Sequence, residues 1–247
     1  MADLAATISV CSAALFVGAA VGATGVGGVL LVPALWALGG MPMREAMGTV
    51  LTASAANGAL ATLLFARRGA VDWRLALPLS AGGLVFAFAG GELGARLPAA
   101  ALVKLLGVVI GLGCAYAFFT PLSHRSDSPS KRRAFLLFAV GLASGLAAGV
   151  TGAGGPLVSV PLMMALGFPF LGTVAASQVL QLVASASAAT AYWRQGAVSF
   201  SFLAFLVPLQ LAGIWAGVKL AHRIDVRLAR RLLAVLGVLV GGLLLVL

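Results

Sequence analysis

Gly22-Ala23-Thr24-Gly25-Val26-Gly27-Gly28 recurs 127 positions later as Gly149-Val150-Thr151-Gly152-Ala153-Gly154-Gly155, and this recurrence decides how the chain folds. Glycine inside a helix costs about 1 kcal/mol relative to alanine, so each cluster is expected to interrupt a helix. Each is followed by an apolar run, 28–40 or 155–167, that is short of the ~20 residues a full bilayer crossing needs. The same register pairs Pro42 with Pro169, and Arg67, Gly69, Ala70 and Val71 with Arg194, Gly196, Ala197 and Val198. It continues through Gly90 and Gly217, Arg96 and Arg223, and Lys104 and Arg231. The chain therefore reads as a duplication, with a first repeat at 1–122, a linker at 123–133 and a second repeat at 134–247.

The solvent of both repeats follows from composition. Of 247 residues, 62% are hydrophobic and 9% are charged, whereas a soluble domain carries about 25% charged residues. So few charges cannot cover a globule of this size, and the remaining solvent is lipid. The net charge of +10 does not point to nucleic acid. Its lysines and arginines sit in short clusters between apolar runs, as at the cytoplasmic ends of membrane spans, with no basic recognition element. Cys11 and Cys114 lie within apolar runs, without a metal-ligand neighbour, and read as small buried hydrophobes. Residues 4–22 have no basic segment before them and no small-residue cleavage site after them, so they read as a retained span.

Apolar runs fall at 4–22, 28–40, 46–66, 75–95 and 99–120, and again at 134–149, 155–167, 172–193, 200–220 and 229–247. The expectation is an all-α integral membrane protein of two repeats, each with about five helical segments and a broken or half-helix pair at its glycine motif. Charge then orients it. If each repeat crosses an odd number of times, loops 67–74, 123–133 and 219–231 share one side, carrying +2, +3 and +4. The opposite side, with Asp3, Arg44, Glu45, Glu92, Arg96, Lys104 and Arg194, nets about +1. An even count leaves both sides near +5, with no preference. The odd count makes the repeats inverted, places linker 123–133 in the cytoplasm and puts both termini outside. Inverted repeats are a transporter architecture, because exchanging the conformations of two related halves gives alternating access. Trp73, Tyr192 and Trp193 lie beside basic residues and read as interfacial anchors.

A half-helix starting at a break presents unpaired N–H groups and the positive end of its dipole, which suits an anion without any charged side chain. The candidate binding residues are accordingly Thr24, Gly25, Gly27 and Gly28 with Thr151, Gly152, Gly154 and Gly155. Close helix packing is the competing role for these glycines. Amides within the third segment of each repeat, Asn57 in one and Gln178 and Gln181 in the other, are candidates to line the same cavity. Thr49, Thr52, Ser54, Ser177, Ser185 and Ser187 accompany them, with interhelical hydrogen bonding as the alternative. Glu92 and Glu45 are the candidate proton carriers, though Arg96, four residues on, suits Glu92 to a headgroup-level ion pair. No ATP-binding, zinc-protease or serine-hydrolase motif is present, and no enzyme, metal site or cofactor is expected.

The duplicated Gly-x-Thr-Gly-x-Gly-Gly stretch, each copy followed by an apolar run with Pro33 or Pro161, resembles the sulfite exporter TauE/SafE family of membrane permeases, also described as a sulfonate-uptake permease group. The resemblance implies secondary transport of a small sulfur-containing anion, such as sulfite, sulfoacetate or another organosulfonate, across the cell inner membrane. Protons or sodium are the coupling ions it admits, and a homo-oligomer is compatible with it. The copies differ, since Pro156 follows the second Gly-Gly and Val29 the first, so unequal half-sites are expected. An anion or weak-acid channel and a non-transporting membrane scaffold subunit are the rival readings.

Overall fold

The computed structural model describes residues 2–24, 28–119, 131–152, 154–220 and 226–246, and among them there is no strand. Helix α1 spans Ala2–Thr24; a 3-10 turn at Gly28–Leu30 then leads into α2, Leu31–Ala37. Helices α3 (Met43–Arg67), α4 (Trp73–Arg96) and α5 (Ala99–Phe119) complete the first half. The second half repeats the order with α6 (Lys131–Thr151), α7 (Pro156–Ala165), α8 (Phe170–Arg194), α9 (Phe200–Leu220) and α10 (Val226–Val246). Helices α3, α4, α5, α6, α8 and α9 have described stretches long and apolar enough to cross a bilayer. The protein is therefore a multi-pass membrane protein. Most of linker 123–133, and the chain ends, lie outside the described residues.

Local chemistry sets the helix ends, and it does so in duplicate. Pro42 and Pro169 stand in extended backbone just before α3 and α8, where proline cannot continue a preceding helix. Those helices finish alike. Gly69 and Gly196 both take φ +66°, and Ala70 and Ala197 donate their N–H groups to Phe65 O and Tyr192 O. This glycine-terminated turn satisfies carbonyls that the last helical turn leaves open. The Asp72 side chain caps α4, accepting from Arg74 N at 2.9 Å.

The short helices double back. Phe168, just past α7, lies with its ring centroid 5.2 Å from the Arg133 guanidinium near the start of α6. In the first half, Gly39 after α2 sits 3.4 Å, measured from a built Cβ, from Val10 of α1. Each pair thus returns on itself, and in the second half the described glycines of the motif, Gly152 and Gly154, lie in the turn. Gly155, at the head of α7, lies against Leu180 near the midpoint of α8, so α7 begins at mid-depth of the bundle.

Helices α1 and α9, and likewise α4 and α6, approach to backbone contact at glycines. A Cβ on Gly22 would run into the Ile214 carbonyl, and one on its repeat mate Gly149 would run into the Ala87 carbonyl. Ala87 and Ile214 are themselves 127 apart, so the contact is built twice. In lipid, such close approach is a main source of helix association, since burying apolar surface gains little there. Mates α3 and α8 pack with opposed numbering, Gly48 beside Tyr192 and Gly58 beside Leu182. Mates α5 and α10 do the same, with Gly107 near Leu244 and Gly237 near Cys114. In each pair the two helices run antiparallel.

Outward-facing large side chains, including Leu77, Phe135, Phe200, Phe205 and Leu239, are more than half exposed, as expected for a surface that meets acyl chains. Cys114 is buried as expected, whereas Cys11 is half-buried. Trp73 and Trp193 are exposed near helix ends, in keeping with an interfacial position. Tyr192 corrects the anchor reading. It is fully buried, and its hydroxyl donates to Gly149 O at 3.2 Å. The small Gly48 and Gly94 beside it make room for the ring.

Gly149→Leu should abolish folding into a monodisperse species in detergent, because overpacking costs about 1–3 kcal/mol even where neighbours can shift and here the obstacle is backbone. Gly111→Ala, whose Cβ meets nothing within 4 Å, should melt within a few degrees of wild type. Equal melting temperatures for both variants would contradict the backbone contact between α4 and α6.

Candidate functional site

The turn between α6 and α7 contains two glycines in conformations that other residues disfavour. Helix α6 ends at Thr151, Gly152 takes φ +67° and Gly154 takes φ +78°. Those left-handed angles are disfavoured for any residue with a Cβ. Helix α7 then restarts with Pro156 in its first turn, a position where the missing N–H costs no hydrogen bond. Gly152 packs on Met47 of α3, and Gly155 on Leu180 of α8. The break is therefore enclosed by α3 and α8, as it must be if its freed backbone groups are not to face lipid. In the first half Thr24 ends α1 and Gly28 begins the 3-10 turn. The Thr24 side chain and residues Gly25 and Gly27 lie outside the described residues.

The unequal motifs show in space. A Cβ on Gly155 would stand 3.0 Å from Leu180, while one on Gly28 would meet nothing within 4 Å. Leu180 has Ala53 as its repeat mate, a residue three carbons smaller. The helix that follows is ten residues long in the second half, against a 3-10 turn and seven residues in the first.

The hydroxyl of Thr151 donates to Ala147 O at 2.7 Å, one turn back in its own helix. Beside the break, α3 and α8 bring the buried amides together. Asn57, 2% exposed, donates from Nδ2 to Gln210 Oε1 of α9 at 2.8 Å, and its Oδ1 is buried with no hydrogen-bond partner. Gln181 donates from Nε2 to Ser54 O at 3.3 Å, and Gln178 is fully buried on the same helix. Ser54 and Gln181 are repeat mates, 127 apart, so the two halves meet at this bond. Ser177 pairs with Ser159 of α7 at 2.7 Å, tying the half-helix to α8.

The remaining hydroxyls divide between two roles. Thr52 donates to Gly48 O at 2.8 Å and accepts from Trp193 Nε1 at 2.9 Å; Thr49 accepts from Ser199 N at 2.9 Å. Ser187 donates to Leu84 O at 2.9 Å. Apart from the Thr52 bond to Gly48 O, which stays within α3, these bonds join neighbouring segments. Ser185, by contrast, is fully buried with its Oγ unpartnered.

Two residues at this centre escaped the reading of the sequence. Gln210 is a lone amide in the apolar run 200–220, two residues after Pro208, and that isolation was its only signal. Tyr192 adjoins Trp193 and Arg194, a neighbourhood that points to the membrane surface and conceals its buried place.

The acidic candidates lie away from this centre. Glu92 Oε2 is 2.9 Å from Arg96 Nη2, and its Oε1 is 3.7 Å from Arg194 Nη1. Together they clasp the ends of α4 and α8. Glu45 lies in the first turn of α3, half-buried. Among the described residues, no group of three His, Cys, Asp or Glu side chains could hold a metal ion.

Comparison with known proteins agrees with this architecture. Two proteins named "Probable membrane transporter protein", from Xylella fastidiosa strains Temecula1 and 9a5c, are 39% and 40% identical to the chain over 102 residues. The match covers 41% and 40% of this chain and 38% of each relative, so it spans well under half the length of these curated proteins. No solved structure matches. The family model described as "Sulfite exporter TauE/SafE" matches residues 10–244, and the chain therefore belongs to the TauE/SafE family, a family of membrane transporters.

Proposed function

We propose that this protein is a secondary transporter for a small, sulfur-containing anion, working by alternating access between two inverted repeats. The enclosed break at Gly152–Gly155 carries this reading. There the N-terminus of α7 is held at mid-depth of the bundle, beside the amides of α3 and α8. At the N-terminus of α7, Pro156 has no N–H and Val158 N already reaches Gly155 O at 3.3 Å, so few N–H groups are left unpaired. The roughly half positive charge of the helix end is what attracts an anion. Thr24, Gly25, Gly27 and Gly28 form the equivalent half-site, with Thr151, Gly152, Gly154 and Gly155 opposite. Asn57, Gln178 and Gln181 line the space between and set selectivity. The antiparallel packing of the mates α3 with α8 and α5 with α10 supports the inverted arrangement.

The substrates that fit this site and the family are sulfite, sulfoacetate and related organosulfonates, moved across a bacterial-type inner membrane with protons or sodium as driving ion. Linker 123–133 faces the cytoplasm and both termini face outside. Two rigid halves rocking about the α3–α8 contact then expose the break alternately to each side.

Transport is tested by uptake of labelled sulfite, thiosulfate and sulfoacetate into proteoliposomes, with and without an imposed pH gradient. Saturable, gradient-driven uptake of one anion is expected in wild type. Gly28→Leu should lower it tenfold or more, the equivalent of about 1.4 kcal/mol, without loss of folding, since its side chain enters open space. Gly155→Leu should abolish it, with Leu180 in the way. Uptake indifferent to gradient and to both substitutions would remove this site.

Glu92 is read as the α4–α8 clasp. Glu92→Gln should keep the response to the pH gradient, and uptake that persists but ignores the gradient would make Glu92 the proton carrier instead. For topology, single cysteines are placed in a background lacking Cys11 and Cys114. Gln195→Cys should react with an impermeant thiol reagent from outside whole cells, and Ser126→Cys only after lysis. The reverse pattern would turn the molecule over.

A further inference from the structure

Among the described residues, the polar centre of this protein holds no charge. The buried polar residues described there are all neutral: threonines, serines, Asn57, Gln178, Gln181 and Gln210. Among the described residues, every Asp, Glu, Lys and Arg lies in a loop or near a helix end. On α3 itself the nearest charged residues to Asn57 are Arg67, ten positions on, and Glu45, twelve positions back, about 15 Å or more along a helix. The titratable groups on helices packed against α3 are engaged or distant. On α8, Tyr192 donates to Gly149 O, and Arg194 lies beside Glu92. On α9, Lys219 sits 3.5 Å over the Trp215 ring. On α5, Lys104 is exposed, Cys114 packs against α10, and Tyr116 is exposed near the far end of the helix. Helix α2 has none.

A neutral centre discriminates by ionic charge. The cost of taking an ion out of water rises with the square of its charge, so a dianion costs about four times as much as a monoanion of the same size. The N-terminus of α7 returns roughly half a positive charge, and no buried cation supplies the rest. Asn57 adds a second criterion. One of its two Nδ2 hydrogens goes to Gln210 Oε1, and its Oδ1 is a buried acceptor with no partner. An acceptor oxygen favours an anion that carries an O–H donor over one of similar shape that does not. The repeat mates of this pair, Ala184 and Gly83, are apolar, and Leu180 packs on Gly83. The polar reader is therefore built into one half only.

Building on the transport reading above, we propose that sulfite crosses as its hydrogen-oxyanion, singly charged and still carrying one acid proton. Asn57, held by Gln210, accepts that proton's hydrogen bond. No bond to hydrogen is broken in transit; the proton rides on the substrate, and coupling to a pH gradient needs no carboxylate in the protein.

The test uses the full chain in proteoliposomes with two probes, sulfite and methanesulfonate. Methanesulfonate is a monoanion of similar shape with no acid proton and no dianionic form. At fixed total sulfite, uptake should fall about tenfold per pH unit above its second dissociation, while methanesulfonate uptake stays level. Sulfite uptake that is flat or rises across that range overturns the proposal without touching the transport reading. Asn57→Leu should lower sulfite uptake tenfold or more and leave methanesulfonate within about threefold. Asn57→Ser, smaller and still an acceptor, should fall between the two and covers the case in which leucine is not tolerated. Equal loss of both probes in a variant that melts like wild type overturns the role of Asn57. Absence of saturable uptake of either anion at every pH would remove the transport reading itself, and this inference with it.

Discussion

A backbone that leaves helical geometry within a bilayer must find its hydrogen bonds inside the protein, and the rest of this structure is arranged around that constraint. The turn at Gly152–Gly155 is the place where the second half leaves the helix. It is tolerable because α3 and α8 close over it, with Met47 on one side and Leu180 on the other. They can do so because α4 and α6 meet at glycines, and because Tyr192 reaches through the gap left at Gly48 and Gly94 to bond the Gly149 carbonyl. Removing any one of these contacts loosens the enclosure and leaves polar backbone facing hydrocarbon.

On the reading of the chain as two repeats, the framework is what the halves share and the chemistry is where they differ. The contacts that hold helices together occur twice in register, as at Gly22 with Ile214 and Gly149 with Ala87. The contacts nearest the breaks do not. Asn57 and Gln210 face each other where the other half has Ala184 and Gly83, and Leu180 fills what Ala53 leaves open. At the helix ends Glu92 corresponds to Lys219, so one half has a carboxylate clasp and the other a cation over Trp215. Packing tolerates little change at a backbone contact. A side chain facing a partly open space is far freer to vary.

Most of the fold was legible because membrane solvation writes strongly into composition. Apolar runs mark the ten α-helices of the described residues, and the second glycine motif marks the break between α6 and α7, to within a few residues. The helices run past the apolar runs where charged residues such as Arg67 and Lys131 still belong to the terminal turn. The short helices were recognisable by length, but their return alongside α1 and α6 came from contacts such as Arg133 over Phe168, which no spacing rule predicts. At the site, Asn57, Gln178 and Gln181 stood out as amides in apolar surroundings. Gln210 did not, because pairing between α3 and α9 depends on tertiary geometry. The hydroxyl of Thr151 looked available for a ligand, yet its proton goes to Ala147 O, a local bond that helical threonines commonly make.

The bond from Gln181 to the Ser54 carbonyl joins two positions that are copies of each other. In a symmetric dimer of half-length chains, a position that touches its own copy must hold the same residue on both sides. Every change there would be made twice, and glutamine opposite serine would be unattainable. Fusion into one gene lifts that requirement. The centre of the molecule, where a homodimer is most restricted in what it can evolve, becomes the place where a single chain has the greatest latitude to specialise.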